Sequence, residues 1–338
     1  MDHPGPPPYR SPMPPFLLGV VLFSLLTAAA FEAWYRCVDE SRRSPFFRRA
    51  WVEHVLRTPP ARSDEQVVLL ISHSQGWGRE VTDAETYASL LEDDLRARAP
   101  TTTRVRVVNW SVPAVSGPGF TILAAAAHRI RPAYLIFVAS ADQFCTRTFL
   151  ATDGSHRPSR ASDLYYLLGY RDIRRLLPRD FMDRFYNTSD WLDIALGRCW
   201  PGWRVRTLPA HVLTRWEVLK PFAKNDIEPV WFGPRHHSRL IREPMPPALP
   251  DERLLATFLS LAAGAAPRVT WINTPVHSRW REEPDPGIAP VAAACAAHGV
   301  MFHDAQAVIP DADFFTATHL EASGHRLMAA YLAEVITP

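Results

Sequence analysis

Residues 67–78 read VVLLISHSQGWG. Val67 to Ile71 form an unbroken apolar run without alternation. That is the pattern of a strand covered on both faces of a parallel sheet. The chain then turns at once through Ser72, His73, Ser74, Gln75 and Gly76. A polar turn at the carboxyl end of a buried strand is where open α/β sheets place a ligand crevice. Ser74 is therefore the candidate nucleophile.

The flanking sequence fits the same architecture. Residues 83–99, DAETYASLLEDDLRARA, predict an amphipathic helix with Tyr87, Leu90, Leu91 and Leu95 near one face. A second strand (104–109), a helix (119–130) and a third buried strand with its turn (133–144) follow. Residues 145–250 lose the alternation and read as a mostly helical or irregular insertion over the strand ends. Order returns with a helix at 251–263, a strand at 268–275, a helix near 287–298, a short strand at 299–305 and a final helix at 321–335. The expected fold is a three-layer α/β/α sandwich spanning 67–338, with a mainly parallel five-stranded sheet and the insertion between its third and fourth strands.

Upstream, residues 1–15 read as a disordered, proline-rich tail and 36–66 as a linker with a short helix. Between them FLLGVVLFSLLTAAAF (16–31) carries no charge. Extended through its aromatic flank to Tyr35, it reaches the roughly 20 residues of a membrane-spanning helix. A cleavable signal peptide with an Ala28–Ala30 cleavage site, or a buried core helix, are the alternatives; a transmembrane anchor over 16–35 is favoured. Arg36, Arg42, Arg43, Arg48 and Arg49 follow it, and the positive-inside rule would keep that side cytoplasmic.

Composition narrows the function classes. A chain of 338 residues with 47% hydrophobic content has a real core. A formal charge of +2 gives no electrostatic case for nucleic acid. Cys37, Cys145, Cys199 and Cys295 form no CxxC pair, and free thiols are expected, with one disulfide as the alternative. No His/Cys/Asp/Glu set has metal-ligand spacing, and no glycine-rich phosphate loop is present, so neither metal nor cofactor is expected. Trp191, Trp200, Trp203, Trp216 and Trp231 in the insertion can stack on sugars or pack a lid.

The chemistry-bearing pair is Ser74, after the first strand, and His319, before the last helix. A serine is a useful nucleophile only when a base takes its proton and donors hold the oxyanion. Each residue also has a plainer reading. Ser74 can cap the following helix, His319 can be a satisfied polar residue at a helix start, and Asp142 can be a turn residue only.

These stretches resemble the motif blocks of the SGNH/GDSL hydrolases. ISHSQGWGREVTDAETYASLLEDDL resembles the first block, with Ser74 on the nucleophile of Gly-Asp-Ser. VVNWSVPAVSG resembles the second, with Ser111 at the oxyanion amide; the resemblance implies that the amides of Ser74 and Ser111 hold the oxyanion, with Asn109 as a further donor. FVASADQF resembles the Gly-x-Asn-Asp block, with Ala141 at the asparagine and Asp142 after it. FTATHLEASGHRLMAAYL resembles Asp-x-x-His, with His319 as base and Thr316 at the aspartate. The first block departs as Ser72-His73-Ser74, the asparagine donor is absent, and Thr316 is no carboxylate. Asp313 or Asp311 is then the candidate orienter of His319, and His73 is a further site-adjacent group.

The third block also resembles that of membrane-anchored SGNH-like proteins serving acyl-transfer machinery, such as the D-alanyl-transfer protein of teichoic-acid modification and the alginate O-acetylation proteins. The resemblance implies serine esterase or O-acyltransferase chemistry on acyl esters of an envelope polysaccharide or glycan. It also implies a membrane acyltransferase partner and an extracytoplasmic domain, which conflicts with the arginines after the apolar segment. The alternative is a catalytically inactive SGNH-like scaffold in an envelope polysaccharide assembly.

Overall fold

A computed structural model describes residues 15–37, 48–78, 81–100, 103–112, 115–145, 164–199, 249–281 and 285–336. The tail before Pro15 and four of the five insertion tryptophans (Trp200, Trp203, Trp216 and Trp231) lie outside these. The strands are β1 (Glu65–Ser72), β2 (Arg104–Asn109), β3 (Tyr134–Val138), β4 (Arg268–Asn273) and β5 (Met301–Asp304). The longer described helices are α1 (Pro15–Cys37), α2 (Arg48–Arg57), α4 (Tyr87–Arg98) and α5 (Gly117–Ala127), with the single turn α3 (Ser74–Trp77) after β1. The insertion adds α6 (Arg171–Arg174), α7 (Arg179–Phe185) and α8 (Thr188–Cys199), and the chain closes with α9 (Glu252–Ala265), α10 (Ile288–Ala297) and α11 (Ala322–Ile336).

The five strands form one sheet in the order β2-β1-β3-β4-β5, every pair parallel. The pleat sends alternate residues of each strand to opposite layers. Val67, Leu69 and Ile71 of β1 and Leu135 and Phe137 of β3 join one core with α5 and α9. Val68, Leu70, Ile136 and Val138 join the other with α4 and α11. Both faces are covered, which is why these strands read as apolar runs rather than alternating ones. On the first face Phe137 and Phe258 meet edge-on at 4.6 Å, and Phe144 lies 5.1 Å from Trp271. The β5 edge is short and half-exposed. Chain order reverses across β1 and β3, and the carboxyl ends at such a switch point form the crevice of an open sheet. Ser74 follows β1 by two residues.

Cys145 and Pro250 pair in an isolated antiparallel bridge, and the Asp251 N–H donates to Phe144 O at 2.9 Å, so the insertion leaves and returns at one neck. Asp251 also caps α9 through Leu254 N at 2.9 Å and pairs with Arg184 of α7. Buried Asp193 is satisfied by the hydroxyls of Tyr165 and Tyr166. Trp191 packs against this core beneath the Arg174 guanidinium. Cys199 and Cys295 are free thiols and Cys145 is buried; burial pushes the thiol of Cys295 up to about 12.

The helix α1 has 23 residues and exposes Leu17, Leu22, Phe23, Leu25 and Leu26. Among the described residues no helix is long and apolar enough to cross a membrane. One helix of the linker is described. It is α2, which docks on the end of β2 through His54 Nε2 to Asn109 O at 2.9 Å.

Candidate active site

The turn after β1 is held by His73, not by Ser74. His73 occupies the N-cap of α3 in extended conformation and its Nδ1 accepts the Gln75 N–H at 3.3 Å. The His73 carbonyl accepts from Gly76 N and Trp77 N. Gly78 closes the turn in the left-handed region at φ 63°, where a side chain would be strained. Every first-turn amide is thus used except that of Ser74, which makes no hydrogen bond among the described residues. Because Nδ1 is an acceptor, the His73 proton sits on Nε2, which donates to Thr274 Oγ1 at 3.0 Å. Burial, then the charge of His319, lowers the His73 pKa to about 3. His73 is therefore a neutral capping residue, and the plainer reading of Ser74 as the helix cap is corrected.

Ser74, half-buried at the start of α3, lies 2.8 Å by its Oγ from His319 Nε2. With the ring proton on Nδ1, the hydroxyl donates to Nε2, the arrangement a general base requires. The two residues are 245 positions apart. The chain is similar in course to LAE5, an α/β hydrolase from the Lake Arreo metagenome: 13% identity, 82% of this chain, 95% of that one, TM-score 0.38. A carbohydrate acetylesterase family member from Sinorhizobium meliloti shares 10% identity over 80% of this chain and 97% of its own, TM-score 0.37. The Mycobacterium smegmatis aryl esterase shares 13% over 80% and 98%, TM-score 0.38. No family model and no curated protein matches the chain. At these scores the likenesses say nothing about activity.

His319 sits in a tight loop between β5 and α11. Phe314 and Leu320 form an antiparallel bridge, and the His319 carbonyl accepts from Phe315 N at 2.8 Å. Thr316 Oγ1 accepts the His319 N–H at 3.1 Å, so the residue at the expected carboxylate position holds the backbone of the histidine. Asp313 does not orient the ring. Its carboxylate makes no hydrogen bond or ion pair among the described residues, and its carbonyl accepts from Glu321 N at 2.9 Å. Asp311 is turned to Ser278, whose N–H it accepts at 2.8 Å.

The second block braces the nucleophile turn. Asn109 Nδ2 donates to Gly76 O at 3.0 Å, and its Oδ1 accepts the Ser111 N–H at 3.0 Å. In this conformation the Ser111 amide is occupied, and an oxyanion role would require it to exchange partners. Buried beneath Gly76, Tyr87 donates to Ser72 Oγ at 3.0 Å, and its backbone N–H donates to His325 Nδ1 at 3.2 Å. His325 is fully buried.

In the third block the Ala141 side chain is buried against the N-terminus of α10. A Cβ on Gly287 would meet the Ala141 Cβ at 2.6 Å. Asp142 sits exposed in the following 3₁₀ turn and accepts from Ser140 Oγ. No cluster able to hold a metal is found among the described residues. The sequence reading missed Gln75. It is buried, and its Nε2 donates to Thr318 O at 2.7 Å. The one signal available was a glutamine, rather than an apolar residue, directly after the nucleophile on a buried turn.

Proposed function

We propose that this protein is a serine esterase or O-acyltransferase acting through Ser74 and His319. The observation that carries the reading is the 2.8 Å contact between Ser74 Oγ and His319 Nε2 at the carboxyl edge of the sheet. Ser74 Oγ bonds to the acyl carbonyl carbon as its proton passes to His319 Nε2. The Ser74 N–H makes no hydrogen bond among the described residues and is the donor available to the oxyanion. The carbon–oxygen bond to the leaving alkoxide then breaks, and the alkoxide takes the proton from His319. A water or sugar hydroxyl attacks the acyl-serine, gives its proton to His319, and Ser74 is released with its proton restored.

The substrate proposed is an acyl ester of an envelope glycan, on the strength of the motif resemblance. On the same resemblance, and although no described helix is long and apolar enough to cross a membrane, the apolar segment 16–35 is proposed to bring the domain to a membrane surface and an acyltransferase there. The second reading is a non-catalytic envelope scaffold. It is favoured by the occupied Ser111 amide and by a threonine at the carboxylate position.

The test is labelling of the full-length chain with a fluorophosphonate probe. Wild type is expected to label, Ser74→Ala not at all, and His319→Ala roughly 10²- to 10⁴-fold more slowly, the usual worth of a general base. A folded wild-type chain that does not label would sink the esterase reading in favour of the scaffold.

A further inference from the structure

We infer that Gln75 is a positioning residue that sets the separation between Ser74 and His319, an inference that rests on the reading of that pair as the reacting groups. Gln75 follows the nucleophile in α3 and is fully buried. Its amide points across the crevice. Nε2 donates to Thr318 O at 2.7 Å, one residue before the base, with Pro275 O of the loop after β4 at 3.4 Å. Both neighbours are carbonyl oxygens that can only accept, so the amino group must face them. The nucleophile turn, the β4 loop and the histidine loop therefore meet on one side chain.

The energetics argue against simple space-filling. Gln75 Oε1 is buried without a hydrogen-bond partner among the described residues. A methionine or leucine would occupy much the same volume and leave no orphaned acceptor. What the amide adds is its donor, aimed at the peptide bond that carries His319. Thr316 Oγ1 takes the His319 N–H of that same peptide bond, and on the far side of the residue the His319 carbonyl accepts from Phe315 N at 2.8 Å. The loop is thus fixed on both sides of the base through its main chain. A misplacement of about 1 Å between reacting groups can cost on the order of 100-fold in rate.

Two measurements on the full-length chain test this. The first is a double-mutant cycle on fluorophosphonate labelling, at a temperature where every variant is folded. Gln75→Met alone is expected to slow labelling about 30- to 100-fold. In the His319→Ala background it is expected to change the rate less than about twofold, because a residue acting through the base loses its effect when the base is gone. The second is the nitrogen NMR signal of the His319 ring, which needs no activity. Gln75→Met is expected to reproduce the change caused by Ser74→Ala, since both remove the same hydrogen bond. Should wild type not label while the ring signal still responds, the esterase reading fails and the positioning role stands. Equal losses in both backgrounds, or an unmoved His319 signal, would overturn it. If Gln75→Met does not fold, Gln75→Glu is used. Buried between two carbonyls, its carboxyl stays protonated and regains one donor, so labelling should recover to within about fivefold of wild type. A Gln75→Glu chain that folds but labels as slowly as His319→Ala would also overturn the role.

Discussion

Acid should destabilise this protein through His73, and the size of the effect follows from its environment. Both ring nitrogens are committed: Nδ1 accepts from Gln75 N, and Nε2–H donates to Thr274 Oγ1. A second proton on Nδ1 would set one N–H against another inside a site that excludes water. Burial first, and the nearby charge of His319 second, bring the pKa from 6.5 to about 3. The folded value lies below the unfolded one, so the unfolded chain binds the proton first. The contribution of His73 is therefore fully present above pH 6.5 and is lost as pH falls from 6.5 toward 3. The slope is about 1.4 kcal/mol per pH unit, or about 2.7 kcal/mol lost by pH 4.5. That is a large part of a domain's usual stability of about 5–15 kcal/mol. The assay is urea unfolding of the full-length chain in steps from pH 8 to 4.5, beside His73→Asn. Asparagine caps a helix well and does not titrate. All other groups titrate in both proteins, so the difference between the two curves isolates His73. The difference should be flat above pH 7 and move by about 2.7 kcal/mol in favour of the variant by pH 4.5. Parallel curves across this range would refute the buried, neutral histidine.

Two further substitutions probe the packing around the nucleophile. A Cβ at Gly76 would lie 2.4 Å from Ser111 Oγ and 2.4 Å from Tyr87 Oη, so Gly76→Ala should cost at least about 1–3 kcal/mol in thermal unfolding and abolish labelling of Ser74. Ala141→Asn restores the side chain that the Gly-x-Asn-Asp block would carry, yet its Cβ points at Gly287. It should lower the melting temperature and leave the labelling rate no faster than wild type; a clear gain in rate would show that position 141 does face the oxyanion.

The strands were legible because burial on both faces imposes an apolar run. The core of β1, all of β2 and the centre of β3 lie where the pattern of hydrophobic residues puts them. The loops were less so, because their roles depend on which partner a polar atom finds across the fold. Ser74 and His319 could be paired from their places at the first and last strand ends. By contrast, His73 as a helix cap is invisible to propensity, which expects Ser, Thr, Asp or Asn there. The tie from Gln75 to Thr318 spans 243 positions and ends on a carbonyl, a group every residue has. No residue type marks such an acceptor. Asn109 was weighed as an oxyanion donor, whereas both ends of its amide are used within the turn it braces.

Three positions depart from the motif patterns that the sequence resembles. Where the Gly-Asp-Ser pattern has an aspartate, His73 caps the turn with its ring. Where Asp-x-x-His has an aspartate, Thr316 holds the main chain of His319. Where an asparagine would donate, Ala141 packs against α10. At two of them, His73 and Thr316, the side chain present holds main chain. Holding two groups 245 residues apart at hydrogen-bond distance requires both loops to be rigid. Gln75, Asn109 and Thr316 each supply that rigidity through a bond to a main-chain group. Reactivity in this chain should accordingly be more sensitive to those three residues than to reinstating the side chains the motif blocks lack.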